Sequence, residues 1–152
     1  MAYKNAGYTC TADWLAKEGY DTYDREVLKL FKREIVKSKR DVLIDGLFSS
    51  SCYNYLKAME LNGRCKLTNI FISTPEDERI SRMYKRQKFT TIEQAQKHTK
   101  ASDFIKGTCG LYQISDEADY TIDGRNSSSI INKYVKRILQ KIRSQYMYEN
   151  EL

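Results

Sequence analysis

The fold this sequence predicts is α/β: a small parallel sheet flanked by helices. Two patterns carry that reading. Short apolar runs, Val42-Leu43-Ile44, Ile70-Phe71-Ile72 and Tyr120-Thr121-Ile122, are spaced along the chain as strands. Between them lie longer segments whose apolar residues recur at helical spacing. Strands alternating with helices imply parallel pairing and crossover connections. The chain has 152 residues, one proline (Pro75) and no Gly/Ser-rich linker, so a single domain over residues 1–152 is expected.

Taken in order, Thr11 to Lys17 reads as a short helix, with Thr9 or Thr11 as its cap. Gly19 to Asp24 reads as a turn leading into a short, weak strand. From Arg25 to Lys39, Val27, Leu28, Leu30, Phe31, Ile35 and Val36 mark a helix with basic residues in the gaps. Val42-Leu43-Ile44 reads as a buried strand stopped by Asp45-Gly46. A helix from Tyr53 to Leu61 ends at Asn62-Gly63, and a strand spans Leu67 to Ile72. Thr74-Pro75-Glu76-Asp77 opens the next helix with a cap, a proline at the first helical position and an acidic first turn. That helix runs to about Arg86, and another extends from Thr90 to about Ile105. Ser115 to Ala118 lead into the strand at Tyr120, and a last helix spans Ser128 to Tyr146. Its apolar face is Ile130, Ile131, Tyr134, Val135, Ile138, Leu139 and Ile142.

Composition narrows the function. Net charge is +6, which suits an anionic partner such as a nucleotide, a phosphate or nucleic acid. Charged residues make up 30% and no apolar run approaches the roughly 20 residues of a membrane span. No signal peptide is visible, so a cytoplasmic protein with no membrane partner is expected. Cys10, Cys52, Cys65 and Cys109 form no CxxC unit, so zinc and redox motifs are not supported and reduced thiols are expected. The one histidine, His98, is read as a surface residue.

Residues 2 to 9, Ala-Tyr-Lys-Asn-Ala-Gly-Tyr-Thr, resemble a phosphate-binding loop, Gly-x4-Gly-Lys-Ser/Thr. Gly7 fits the second glycine and Thr9 the hydroxyl. Ala2 stands where the first glycine belongs and Tyr8 where the lysine belongs. The pattern also requires a preceding strand, and the sequence begins at Met1, so the loop reads as degenerate and N-terminally truncated. The alternative for this stretch is a capped helix N-terminus.

Four segments occur in the order found in one family. They are the loop at 2–9, Val42-Leu43-Ile44-Asp45-Gly46, Ile70-Phe71-Ile72-Ser73-Thr74-Pro75-Glu76-Asp77-Glu78-Arg79-Ile80-Ser81-Arg82, and Glu117-Ala118-Asp119-Tyr120-Thr121-Ile122-Asp123. With them the chain resembles the P-loop nucleotide kinases: nucleoside monophosphate kinases, cytidylate kinases and dephospho-coenzyme A kinase-like proteins. The resemblance implies a three-layer P-loop kinase-like fold with a helical lid at about 87–107. It implies ATP and Mg²⁺ as cofactors, and phosphoryl transfer to a nucleoside monophosphate or related acceptor.

It also implies roles for particular residues. Backbone N–H groups near Gly7, with Tyr8, Thr9 and Lys4, would meet the nucleotide phosphates. Thr9 and Asp45 would hold Mg²⁺. Asp45 is read either as that ligand and proton acceptor or as a plain Asp-Gly turn former. Leu47-Phe48-Ser49 follow it, where related kinases carry an acceptor-gripping arginine. Arg79, Arg82 and Arg86 fall within an arc of roughly 60° on one helix. They are read as a catalytic phosphate clamp on the lid stem, or as a solvated face paired with Glu76 and Glu78. Lys88, Lys97, Lys100 and Lys106 are lid candidates, and Asp24 and Arg25 are candidates for the acceptor. Two further functions stay open: a kinase-fold protein that binds nucleotides or partners without catalysis, and a small basic nucleic-acid-binding protein. The basic residues of the last helix, Lys133, Lys136, Arg137, Lys141 and Arg143, are read as solvated, and with no nucleic-acid-binding motif present, nucleic acid is not the expected partner.

Overall fold

The computed structural model describes Gly7 and residues 11–38, 41–87 and 89–149. The fold is mixed α/β and mostly helical, with one two-stranded parallel sheet. Its elements are α1 (Thr11–Lys37), α2 (Ser50–Leu61), β1 (Ile70–Ser73), α3 (Glu76–Gln87), α4 (Ile92–Thr108), α5 (Leu111–Asp116), β2 (Tyr120–Asp123) and α6 (Ser128–Glu149). They fall into two compact units, residues 1–68 with 105–116, and residues 69–104 with 117–152.

In the first unit, α1 is two helical stretches joined at Gly19, whose φ of 76° and ψ of 172° are not helical. A glycine accepts that conformation without the Cβ clash other residues would meet. The turn and short strand expected over Gly19 to Asp24 are corrected: beyond Gly19 the chain is helical. The reason is packing. Tyr23 lies between Trp14 and Phe48, with ring centroids 5.4 and 5.7 Å away. Tyr23, Val27, Phe31 and Ile35 then recur every fourth residue, all half-buried, as one stripe of a continuous helix.

The expected strand Val42-Leu43-Ile44 is also corrected. The segment is irregular, with Val42 exposed and Leu43 92% exposed. A strand is stable only when a neighbour takes its backbone hydrogen bonds, and three apolar residues do not supply one. Helix α2 begins at the N-cap Ser49, whose Oγ accepts from the Cys52 N–H at 3.3 Å. It ends, as expected, at Asn62-Gly63, where Asn62 Nδ2 donates to the Ala58 carbonyl at 2.7 Å. The α2 residues Cys52, Tyr53, Leu56 and Met59 join Trp14 and Ile114 as this unit's buried apolar residues.

In the second unit, β1 and β2 pair in parallel, Ile70 with Tyr120 through Ser73 with Asp123. Two of the expected strands are therefore present, each shifted or extended by a residue or more. The Asn69 N–H donates to Asp119 Oδ2 at 2.7 Å, and the Asp119 N–H donates back to the Asn69 carbonyl at 2.9 Å, closing the ladder at its start. Helix α3 starts just after Pro75, with Glu76, Asp77 and Glu78 in its first turn, as the sequence predicts. Helix α4 is capped by Thr91, whose Oγ1 accepts from the Gln94 N–H at 3.3 Å. Ile80, Ala95, Thr99 and Ile122 are buried, and α6 lays Ile131, Val135, Ile138 and Ile142, all half-buried, on its inner side.

Candidate functional site

A parallel strand pair brings two carboxyl ends side by side, and each here feeds a helix. Ser73 and Asp123 are register partners. Beyond Ser73, Thr74-Pro75 leads into α3. Beyond Asp123, Gly124 to Ser127 lead into α6, where Ser127 Oγ accepts from the Ile130 N–H at 3.4 Å. The carboxyl edge of such a sheet is where α/β folds present ligands.

The two connections are drawn tightly together. The Gly124 N–H donates to the Ser73 carbonyl at 2.6 Å. Gly124 is buried, and a Cβ there would overlap Thr74 Oγ1 and lie 3.0 Å from both Thr74 Cβ and the Ser73 carbonyl oxygen. Only glycine allows this approach. Asp123 is chelated by Arg125: its carboxylate accepts from the Arg125 backbone N–H at 2.9 Å and from the guanidinium Nε and Nη2 at 3.0 and 2.7 Å.

The Arg125 guanidinium, and then its backbone N–H, hold the Asp123 carboxyl below the usual carboxylate range. The pair is exposed, so its weight in stability is small. A depressed carboxyl pKa favours the folded state above the ordinary aspartate value, and the contribution is lost as pH falls through the depressed value. Arg125→Gln is expected to raise the Asp123 midpoint toward that of an ordinary aspartate, read by carboxyl carbon chemical shifts across an acid titration. An unmoved midpoint would mean that the chelate is absent in solution.

The three arginines expected on one face do lie on α3, in unequal settings. Arg79 donates through Nη1 to the Thr74 carbonyl and through Nη2 to Asp103 of α4, both at 2.5 Å. It ties the start of α3 to α4, and its buried Nε–H has no acceptor among the described residues. Arg82 donates to Glu78 one turn earlier, at 2.6 Å. Arg86 is exposed, with no ion pair among the described residues. On α4, Lys100 Nζ lies 3.8 Å from Glu76, Lys97 is exposed and Lys106 half-buried. His98 is exposed with its ring 5.5 Å from Phe89, as expected of a surface histidine.

The remaining described site residues belong to the first unit. Gly7 has φ 81° in a turn. Asp24 and Arg25 lie on α1, where Asp24 Oδ1 is 3.8 Å from the Cys52 thiol and Arg25 Nη2 donates to Thr22 Oγ1 at 3.3 Å. Asp45 is exposed, in the irregular segment that replaces the expected strand, so it does not stand at the end of a sheet strand. Gly46 has φ 77°, which fits the turn-former reading of Asp45-Gly46. Ala2, Lys4, Tyr8, Thr9 and Lys88 lie outside the described residues. Among the described residues no group of three or more His, Cys, Asp or Glu side chains could hold a metal ion by itself. Of the two residues expected to hold Mg²⁺, Asp45 is described and Thr9 lies outside the described residues.

Cys52, Cys65 and Cys109 are free thiols. Burial pushes the Cys52 thiol up to about 11; the Ser49 hydroxyl opposes that rise, and the Asp24 carboxylate adds to it. That thiol is inert at neutral pH. Sequence reasoning read Thr74 only as a helix cap and passed over Gly124 and Arg125. Their signal was the Asp123-Gly124-Arg125 run directly at the end of a strand. Among the described residues no helix is long and apolar enough to cross a membrane. Comparison with family models, with curated proteins and with solved structures finds no match for this chain.

Proposed function

We propose that this chain is a nucleotide kinase that binds ATP and transfers its terminal phosphoryl group to a nucleoside monophosphate or related acceptor, on a three-layer P-loop kinase-like fold. The observation that supports this most is the carboxyl edge of the β1/β2 pair. Two strands deliver two helix N-termini there, and α3 rises from it with a row of arginines. Backbone N–H groups at helix starts favour phosphate oxygens. Arg86, and Arg82 once released from Glu78, are the cations for a transferring phosphoryl group, whose stabilisation is electrostatic. Arg79 is a positioning residue, since its guanidinium is committed to Thr74 and Asp103.

A second reading, nucleotide binding without transfer, is favoured by the placement of Asp45. Exposed and outside any strand, it lacks the rigid support expected of a catalytic carboxylate. Calorimetry with ATP and Mg²⁺, run beside an assay for ADP formation over a panel of nucleoside monophosphates, separates the two. The kinase reading expects heat and ADP, and a roughly tenfold weaker ATP affinity for Arg86→Gln, the loss of one charge-assisted hydrogen bond. Heat without ADP leaves the binding reading. Heat from Tyr8→Lys but none from the natural chain defeats the kinase reading, and no heat from either defeats both.

A further inference from the structure

One long stretch of this chain carries cations and no acids. From Gly124 to Tyr148 there are six cations, Arg125, Lys133, Lys136, Arg137, Lys141 and Arg143, and no acidic residue. The other 20 lysines and arginines are matched by the 20 acids of the chain, so this stretch accounts for the whole net charge of +6. Arg125 is neutralised by Asp123. The other five lie on α6, and all five are exposed.

Their arrangement on the helix is one-sided. At about 100° per residue, the half-buried row Ile131, Val135, Ile138 and Ile142 occupies an arc of about 60°. The five cations occupy an arc of about 160° centred opposite it, over about 15 Å of helix. Gln140 and Ser144 stand within the cationic arc, both exposed. Lys141 is held over the Tyr120 ring, its Nζ 5.7 Å from the centroid.

We propose that this outer face of α6 is a binding surface for the phosphate backbone of nucleic acid. A duplex carries about one negative charge per 1.7 Å of axis, a continuous line that an unbroken cationic face matches without fixed register. Polar side chains between the cations supply further hydrogen bonds to phosphate oxygens. A membrane surface fits less well. An interfacial helix buries its whole apolar face in lipid, whereas Ile131, Val135, Ile138 and Ile142 of α6 are half-buried in the folded chain, and of the apolar face the sequence predicts only Ile130, Tyr134 and Leu139 are exposed. The surface is independent of any nucleotide site at the sheet edge.

The test is fluorescence anisotropy of the full chain with a labelled DNA duplex of about 20 base pairs at about 50 mM salt. The expected affinity falls by about two orders of magnitude between about 50 and 200 mM salt, with a log–log slope near −4. Replacing Lys133, Lys136, Arg137 and Lys141 by glutamine should abolish most of that slope and weaken binding at least about a hundredfold. Replacing Lys29, Lys32, Arg33 and Lys37 of α1 by glutamine removes the same charge elsewhere and should leave most of the binding. Circular dichroism checks that both variants stay folded. Equal losses in the two variants would overturn the proposal, as would absence of binding by the natural chain. So would sedimentation with phosphatidylserine vesicles in place of DNA binding.

Discussion

Trp14→Ala is expected to destabilise the first unit by about 3–5 kcal/mol, the usual cost of removing a buried aromatic side chain. Trp14 is 1% exposed and is the largest fully buried side chain of the described residues. Its ring meets Tyr23, which in turn stacks on Phe48, so truncation also removes an aromatic pair worth about 0.5–1.5 kcal/mol. Because Trp14 is the one tryptophan of the chain, the variant has no indole signal. Unfolding is therefore followed by far-ultraviolet circular dichroism in urea, with the natural chain measured the same way. Trp14→Phe keeps a ring against Tyr23 and should recover roughly half of the loss. A Trp14→Ala midpoint equal to that of the natural chain would mean that this cluster is not formed in solution.

Gly124→Ala is the corresponding test of the second unit, through overpacking instead of a cavity. Gly124 is pinned by its hydrogen bond to the Ser73 carbonyl and closed in by Thr74, so an added methyl has no free volume to enter. The carbonyl belongs to the strand and cannot swing aside, and the Thr74 side chain is short. A cost of about 3 kcal/mol is expected, at the upper end for one inserted methyl. Amide hydrogen exchange at Ile72 and Ile122 should speed up, because the β1/β2 pairing ends at this contact. Thr74→Ala in the Gly124→Ala background removes the overlapping Oγ1 and should restore part of the protection, while Thr74→Ala alone should have little effect. Unchanged exchange in Gly124→Ala would show that the two strand ends are not held together.

The second prediction could not have been made from the sequence. Asp123-Gly124 is visible as a turn signal, but the partner that forbids a Cβ is Thr74, at the end of the other strand. The same holds for Arg79. Its helical neighbours suggest a solvated or phosphate-clamping face, whereas its partner Asp103 lies 24 residues along the chain. Helices α3 and α6 were legible because their cues are local: Thr74-Pro75 followed by three acids for one, and a long apolar period for the other. Two errors were also local in origin. Gly19 followed by tyrosines and aspartates resembles a turn, yet Tyr23 packs between Trp14 and Phe48 and the helix continues. Val42-Leu43-Ile44 has the composition of a strand, yet composition does not provide the adjacent backbone that makes one.

By itself the sequence determined the kinds of element present, the helix starts and stops marked by caps, proline and glycine, and the run of cations without acids from Gly124 to Tyr148, five of them within α6. Those properties depend on residues within a few positions of each other, and so they survive without knowledge of contacts. Tertiary structure alone decided which apolar runs pair as strands, which arginines are already bonded, and which face of α6 is left to solvent. Pairing, ion-pair choice and burial are set by groups distant in sequence, because backbone hydrogen bonds and buried charges take whatever partner the fold brings within reach.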